Sequence, residues 1–426
     1  MSAPSSAPPL PGAARHDMSL LVAGVAVSTA GDAAALTALS VHLSAGGAGW
    51  VAALLAAELV PVVVLAPITG RLVDRTENRR LAVLALTGQA LVALPLALAG
   101  ARWLSLLLFA VLSAFVAVVG PVTAAMIPAI TGRGAAGRGY ARIALGRGLG
   151  YIVGPAAGGL VTGAFGPRTA LLADAASFAV LALVWSRVRS RRDPRLLAAA
   201  EAAARDAAEV TASDTGATAG GWRLMWDDTV LRSAVVLTGV SIAAAVVDNV
   251  AAPFRFVDQL RAGAGGFGTY LALWGLGALA GSQLTPHLGR VGPPTRLLAI
   301  GNMLSCIGVV GIGLAPGLGV AYLAAVAGGV GNGIANVALN AAVAQRVPAA
   351  AHGRAFAAVG AAIQTAVGLG TAAGAPLVAL LQPDGAMIAA GTVGAVLAAG
   401  HVGLTLRRGG ATALPHPARP DDHTPP

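Results

Sequence analysis

Carboxylic acids interrupt long apolar stretches of this sequence at a few positions. Asp32 and Glu58 each lie near the middle of an apolar run, and Asp248, which is followed by Asn249, lies inside a third run. A charged group at the centre of a membrane helix costs roughly 2.5–3.5 kcal/mol on insertion scales, so acids in such runs commonly have a function. A carboxylate in a low-dielectric environment can also take up a proton near neutral pH. These residues are therefore candidates for binding a proton or a polar ligand.

Each acid also has a structural alternative, in which it pairs with a buried arginine or caps the end of a helix. For Asp248 the possible partner is Arg255, two turns along the same run. For Asp174 we favour the structural role, because the segment DAASF (174–178) adjoins a region rich in small residues. For the other acids both roles stay open.

A series of amides is spaced like one face of a helix. Asn332, Asn336 and Asn340 recur every four residues, so their side chains share one face. Three amides on one face of a membrane helix either hydrogen-bond to neighbouring helices or line a cavity. Trp274 is a candidate for an aromatic wall of such a cavity, and packing in the core is its alternative role.

Glycines repeat every four residues from Gly146 through Gly150 and Gly154 to Gly158, with Pro155 among them. A helix face made of small residues lets a neighbouring backbone approach closely. This segment is therefore predicted to pack tightly against another helix.

The composition is that of a membrane protein. The 426 residues have a mean hydropathy of +0.76 and are 56% hydrophobic and 11% charged, whereas soluble domains are about 25% charged. The net charge of +10 comes from arginine alone. These arginines lie in short gaps between apolar runs, which favours loop anchors over nucleic-acid binding. The single cysteine, Cys306, excludes a disulfide framework and a cysteine-based metal site.

A helix needs about 20 apolar residues to cross the hydrocarbon of a bilayer. Twelve segments meet this length, and the alternating ten-residue segments of a membrane β-barrel are not seen. The predicted fold class is therefore all-α integral membrane, with twelve transmembrane helices. Their predicted ranges are 19–44, 49–70, 79–99, 103–130, 140–164, 168–187, 230–254, 266–288, 294–315, 317–345, 353–381 and 384–406.

The positions of the arginines test the predicted number of transmembrane helices. With twelve spans, all but four of the 28 arginines fall on the side of the chain termini. The positive-inside rule then predicts that both termini are cytoplasmic. The four arginines of the other side are Arg102, Arg168, Arg255 and Arg261.

One long polar stretch joins the sixth and seventh spans, and it divides the chain into two halves. It contains an Ala-rich segment (196–210) in which Glu201 precedes Arg205 by four residues, a spacing that favours helix. The predicted organisation is a disordered tail (1–17), a six-helix bundle (18–187), a cytoplasmic linker (188–229), a second six-helix bundle (230–407) and a disordered tail (408–426).

The halves repeat at an offset of 216 residues. Asp32 then aligns with Asp248, and Gly137–Arg138 aligns with Gly353–Arg354. We therefore predict two parallel six-helix repeats, an arrangement that places a ligand site near the midplane where the repeats meet.

Two motifs resemble signatures of the major facilitator superfamily. The segment GRLVDRTENRR (70–80) is similar to the superfamily's loop signature, although Glu77 replaces a glycine. The segment GYIVGPAAGG (150–159) is similar to the core of the antiporter signature of the fifth helix. The matching residues are Gly70, Asp74, Arg75, Arg79 and Arg80 in the loop, and Gly150, Gly154, Pro155, Gly158 and Gly159 in the helix.

The resemblance implies the major facilitator fold and a loop that closes the cytoplasmic side. It places Asp74 near Gly353, at the start of the eleventh helix, and lets Arg75 and Arg79 pair across the halves. Three further segments, VSTAGD (27–32), DAASF (174–178) and QRVPAAAHGR (345–354), resemble the enterobactin-exporter and macrolide-efflux subgroup. The arginine that many proton-coupled exporters carry in helix 4 is absent from residues 103–130.

The function expected from these residues and the resemblance is export of a small amphipathic molecule, driven by a proton gradient without another cofactor or metal. The expected setting is the lipid bilayer of a bacterial inner membrane, as a monomer with a small-molecule substrate and no nucleic acid. An uptake symporter or facilitator, and a non-transporting sensor or partner, are the alternatives. An enzyme is not expected, because no nucleophile–base pair or phosphate loop stands out.

Overall fold

The computed structural model describes residues 12–132, 135–190, 226, 228–289, 292–347 and 351–409. For residues 12–13, 353–354, 357 and 402–409 it describes the backbone alone. Within these ranges the regular structure is helical. The first half contains α1 (Gly12–Ser44), α2 (Ala48–Arg75), α3 (Asn78–Leu98), α4 (Arg102–Thr131), α5 (Ala136–Phe165) and α6 (Pro167–Arg187). The second half contains α7 (Thr229–Phe254), α8 (Gly263–Leu288), α9 (Pro294–Leu314), α10 (Leu318–Arg346) and α11 (His352–Gly409).

Twelve crossings result from these eleven helices, as the sequence predicts. Ten stretches in the described residues are long and apolar enough to span a membrane, and α8 is not among them. Seven of its 26 residues are glycine, but its length of about 39 Å is ample for a crossing. α11 crosses twice, because Gln382 (φ 64°, ψ 165°) breaks it into two helices.

Two predicted boundaries need correction. α1 begins at Gly12, so residues 12–17 belong to a helix and not to the predicted tail. Asp17 is buried there, and its Oδ2 accepts a hydrogen bond from the Arg189 backbone N–H at 3.0 Å. This contact ties the start of α1 to the end of α6. At the other end α11 continues to Gly409, two residues beyond the predicted limit, and most of the linker and the last tail lie outside the described residues.

The same helix pairings occur in both halves. α1 packs against α5 in the first half, and α7 packs against α11 in the second. The fourth helix of each half likewise packs against its second helix, as α4 on α2 and α10 on α8. These contacts agree with two parallel six-helix repeats.

The halves meet on the side opposite the chain termini. There Val51 of α2 joins one apolar cluster with Val247, Phe256 and Val378 of the second half. On the termini side, by contrast, the cluster that contains Leu231 draws only on second-half residues. Among the described residues the apolar contact between the halves is therefore on the far side, and the clusters of the termini side each belong to one half.

Candidate functional site

Asp32 and Glu58 line one cavity of about 370 Å³ between the halves. α1 and α2 carry the acids near their midpoints, and α8 of the second half contributes Leu271, Trp274 and Gly275. The remaining lining is mostly apolar. The two acids, which lie in separate apolar runs of the sequence, therefore face a common space.

Two further cavities adjoin the first through the acids themselves. Asp32 also lines a cavity of about 400 Å³ that contains Gln89 and Arg147. Glu58 also lines a cavity of about 320 Å³ that reaches Asn249 and Gln364 of the second half. The acids thus lie where a chain of cavities crosses from one half to the other.

Neither acid forms an ion pair or a side-chain hydrogen bond with another described residue. In the described residues the two ion pairs, Glu77–Arg80 and Asp228–Arg346, lie outside these cavities. Arg147 is close enough to Asp32 for electrostatic interaction, as is Glu58. Carboxylates in such a site can bind a proton or the donor groups of a ligand. No group of three His, Cys, Asp or Glu side chains in the described ranges could hold a metal ion.

Asp174 combines the structural role that we favoured with a place in the cavity. Its Oδ1 accepts a hydrogen bond from Ser177 at 3.3 Å, within α6. It also lines the cavity of Asp32 and Glu58, and it approaches Gly31 of α1. The third carboxyl group therefore faces the same space.

Asp248 is placed differently from the prediction. It is buried among apolar residues, receives a hydrogen bond from the Tyr270 hydroxyl, and lies outside the cavities described above. The suggested pairing with Arg255 is wrong, because that side chain donates to the carbonyl oxygens of Ile312 and Ala315. Its neighbour Asn249, however, does line a cavity.

The amides of α10 satisfy each other along their own helix. Asn336 Nδ2 donates to the carbonyl and side-chain oxygens of Asn332 at 3.0 and 3.1 Å. Asn340 Nδ2 donates to the Asn336 carbonyl at 2.9 Å. They form none of the expected interhelical bonds in the described residues, and the three cavities do not include them. The four-residue spacing correctly predicted that the three amides share one face, but it did not predict their hydrogen-bond partners.

Trp274 fills both of its alternative roles. It lines the central cavity beside Gly275, and its ring also packs edge-on to Tyr270 with a centroid distance of 6.4 Å. Phe109 and Tyr151 supply further aromatic surface to the same cavity.

The glycines of α5 make the close approach that the sequence predicts. A Cβ on Gly150 would lie 2.7 Å from the Ala26 carbonyl oxygen of α1, and Gly146, Gly154 and Gly158 face α1 in the same way. Gly159 instead meets Ala264 of α8. The motif therefore serves two contacts, one within the first half and one across the halves, which the sequence did not separate.

The loop signature is spread over several surroundings. Gly70 lines the cavity of Arg147, while Asp74 and Arg75 are exposed. Arg79 Nη2 donates to the Ser186 carbonyl at 2.7 Å, so it binds within the first half and not across the halves as expected. Arg80 pairs with Glu77 at 2.8 Å. The side chain of Arg354, beside Gly353, is outside the described ones, so the expected contact of Asp74 there stays a prediction.

Three lining residues were missed by sequence reasoning. Arg147 was counted with the loop arginines, although it lies well inside α5, and Tyr151 lies one turn beyond it. Gln89 lines the cavity of Arg147, and its Oε1 has no partner among the described residues. The spacing of four between Arg147 and Tyr151 is the signal that could have placed both on one face.

Comparison with known proteins identifies the fold. The sequence profile of the Major Facilitator Superfamily matches residues 18–291. No curated protein is found that matches this chain in sequence.

Solved structures agree over almost the whole chain. The nucleoside transporter NupG is 13% identical with a TM-score of 0.74, and the match covers 91% of this chain and 99% of NupG. A bacterial homologue of the lysosomal transporter Spinster, inward-facing, is 11% identical with a TM-score of 0.71, covering 93% and 97%. A bacterial homologue of the iron transporter ferroportin, also inward-facing, is 14% identical with a TM-score of 0.67, covering 91% and 99%. At these identities the likeness concerns the fold. Together with the profile match over more than half of the sequence, it shows that this chain belongs to the Major Facilitator Superfamily.

Proposed function

We propose that this transporter exports a small amphipathic molecule, such as a drug, a siderophore or a secondary metabolite, in exchange for protons. The observation that carries the proposal is the pair of unpartnered acids, Asp32 and Glu58, in a cavity between the halves. Superfamily members bind their substrate at this place in the fold.

The acids supply a means of coupling. Protonation of a cavity carboxylate removes its charge and so changes the relative free energies of the two conformations of the transporter. A polar substrate competes with the proton for the same oxygens. The charged and titratable groups that face Asp32 from neighbouring helices are Glu58, Asp174, Arg147 and Tyr151.

The contacts between the halves support transport by alternating access. A closed far side and an accessible termini side describe one end of a rocking motion. The abundance of arginine on the termini side supports a cytoplasmic position for the termini. A cavity open to the cytoplasm is where an exporter loads its substrate.

The finer assignments form part of the same proposal. The segments that resemble enterobactin-exporter and macrolide-efflux proteins support export, as does the antiporter-like motif of α5. The two bundles (18–187 and 230–407) act as the rocking units, and the loop of Asp74 and Arg75 helps to close the termini side. We propose a monomer in a bacterial inner membrane, with the proton gradient as the energy source and no bound cofactor.

Uptake remains the second candidate function. The matched structures carry the names of nucleoside, peptide and iron transporters, so one fold serves cargoes of different kinds. A non-transporting sensor is disfavoured, because it would not need unpartnered acids in an accessible cavity.

Transport by inverted membrane vesicles tests the proposal. A panel of antibiotics and dyes is offered with and without a pH gradient, and accumulation in the vesicles reports export. Asp32→Asn and Glu58→Gln should insert normally but lose the response to the gradient, because neither amide can bind the coupling proton. Glu77→Gln, at the loop pair with Arg80, is the matched control and should keep it.

Two outcomes would contradict the proposal. Wild-type transport and a wild-type pH response in both variants would remove these acids from the mechanism. Movement of substrate out of inverted vesicles along with protons would show uptake instead.

A further inference from the structure

Gln89 carries a buried hydrogen-bond acceptor that has no partner. The residue is 2% exposed, and its Oε1 accepts no hydrogen bond from the described part of the chain. It lines the same cavity as Asp32. Leaving a buried amide oxygen unsatisfied is costly, but this oxygen is enclosed, so the acceptors open to a ligand are the carboxyl groups of the cavities.

The acceptors continue along the cavities. Asp32 and Glu58 accept no hydrogen bond from the described residues, and Asp174 adds a third carboxyl group. Acids outnumber the one cation of these walls, Arg147. A ligand that supplies both donors and positive charge satisfies all of these groups.

The rest of the lining is apolar and aromatic. Phe109, Leu112, Leu271 and Trp274 enclose the central cavity beside the acids. Such walls bind an apolar body, and aromatic rings also attract a cation. The volume of about 370 Å³ is within the range of sites for small organic molecules.

We propose that this cavity binds an amphipathic organic amine. Its ammonium group donates to Asp32 and Glu58, which both line this cavity. Its apolar body lies against Phe109, Leu271 and Trp274. The inference deepens the proposed function and rests on it, since the cavity is taken as the transport site. Arg147 faces the same space and repels an ammonium group, so it limits the affinity for amines.

Three fluorescent ligands with one dansyl body test the charge preference of the purified full-length protein. Dansylcadaverine is a primary amine, its N-acetyl derivative is neutral, and dansylglycine is an anion. Energy transfer from tryptophan to the dansyl group measures equilibrium binding without any gradient. We expect the amine to bind about tenfold or more tightly than the other two, since a charge-assisted hydrogen bond is lost in each.

Variants of the cavity residues test which side chains cause the preference for the amine. Glu58→Gln and Asp32→Asn should each reduce the ratio of amine to N-acetyl affinity several-fold, because each removes a charged acceptor for the ammonium group. Arg147→Gln should increase that ratio, because a repelling charge is removed. Glu77→Gln should leave it unchanged. Gel filtration checks that each variant is folded before its binding is measured.

Equal affinity for the amine and its N-acetyl derivative would overturn the inference. Tighter binding of dansylglycine, no saturable binding of any ligand, or an unchanged ratio in both acceptor variants would also overturn it. The binding test is independent of transport. A protein that binds the amine selectively but moves nothing contradicts the proposed function alone, and one that transports without preferring amines contradicts this inference alone.

Discussion

Acidic residues of this protein have two kinds of surroundings. Glu77 and Asp228 lie at helix ends, where they pair with Arg80 and Arg346 at 2.8 and 2.9 Å. Asp32 and Glu58 lie at mid-helix and have no such partner in the described residues. A carboxylate is thus a structural group at a helix end, whereas at mid-helix it depends on a proton or a ligand as its partner.

Asp228 shows the structural use most fully. Its Oδ1 accepts hydrogen bonds from the backbone N–H groups of Val230 at 2.8 Å and Leu231 at 3.1 Å, which caps α7. Partial burial raises the pKa of Asp228. The hydrogen bonds from Leu231, Arg346 and Val230 outweigh burial and leave the pKa below its ordinary value of 3.8.

The lowered pKa of Asp228 makes the contribution of this residue to the stability of the protein depend on pH. Because the pKa of Asp228 is lower in the folded protein, its contribution is complete above about pH 4 and is lost as the pH falls through the folded value. We expect Asp228→Ala to reduce the free energy of unfolding by about 1 kcal/mol at neutral pH, the usual cost of a lost N-cap. The difference from wild type should shrink on acidification. Thermal unfolding in detergent, followed by tryptophan fluorescence between about pH 3 and pH 7, measures it.

Asp228→Asn is the matched control. Asparagine caps a helix about as well as aspartate, so it should lose only the ion pair with Arg346 and be less destabilised than the alanine variant. An alanine penalty of the same size at both ends of the pH range would contradict the assignment.

α1 and α5 pack through glycine rather than through large side chains. α5 lies so close to α1 that a Cβ on Gly150 would be 2.7 Å from the Ala26 oxygen and 2.9 Å from the Ala30 nitrogen. Lipid gives little hydrophobic drive for helix association, so close backbone contact supplies the packing instead.

Adding one methyl group tests this contact. Gly150→Ala should lower the free energy of unfolding by about 1–3 kcal/mol, because the backbone of α1 cannot yield without moving the helix. Gly148→Ala is the control on the same helix, where a Cβ has nothing within 4 Å. It should be neutral or stabilise by up to about 1 kcal/mol through helix propensity. Thermal unfolding of the purified variants measures both, and equal effects would show that the approach of α1 to α5 is not limiting.

At the scale of the whole molecule, the two halves contact each other on the side away from the termini. α5 and α8 meet there, with Leu160 Cδ2 lying 3.6 Å from the position of a Cβ on Gly265. The closed side depends on these helices, so its opening requires them to separate.

A disulfide-linked bridge across this contact should prevent that separation. In a Cys306→Ser background, Leu160→Cys with Gly265→Cys should be bridged through disulfides by a short bis-methanethiosulfonate reagent, because the Leu160 Cδ2 reaches to 3.6 Å from the Cβ position of Gly265. Transport should stop and should return on reduction, while Leu160→Cys alone stays active. Failure to cross-link, or full transport by the cross-linked protein, would contradict a closed far side that must open.

Much of the architecture could be predicted from the sequence. Apolar runs of membrane length fixed the twelve crossings, because a backbone in lipid must satisfy its own hydrogen bonds and does so as helix. The spacing of the α5 glycines predicted a packed face, because residues four apart lie on the same face of a helix. Exceptions are found where composition misleads, as at Gly12–Asp17, whose polar character suggested a tail.

Only the tertiary structure decided which side chains meet. Hydropathy shows that an acid lies within a membrane helix. The packing of the helices then decides which way that helix is rotated and which helices it contacts. Asp32 and Glu58 therefore share a cavity, while Asp248 binds Tyr270 in the core. Arg147 and Gln89 enter the site because α5 and α3 turn those faces inward. The sequence by itself determined a two-part bundle with acids at mid-membrane, and the packing of the helices determined which of those acids face the space between the halves.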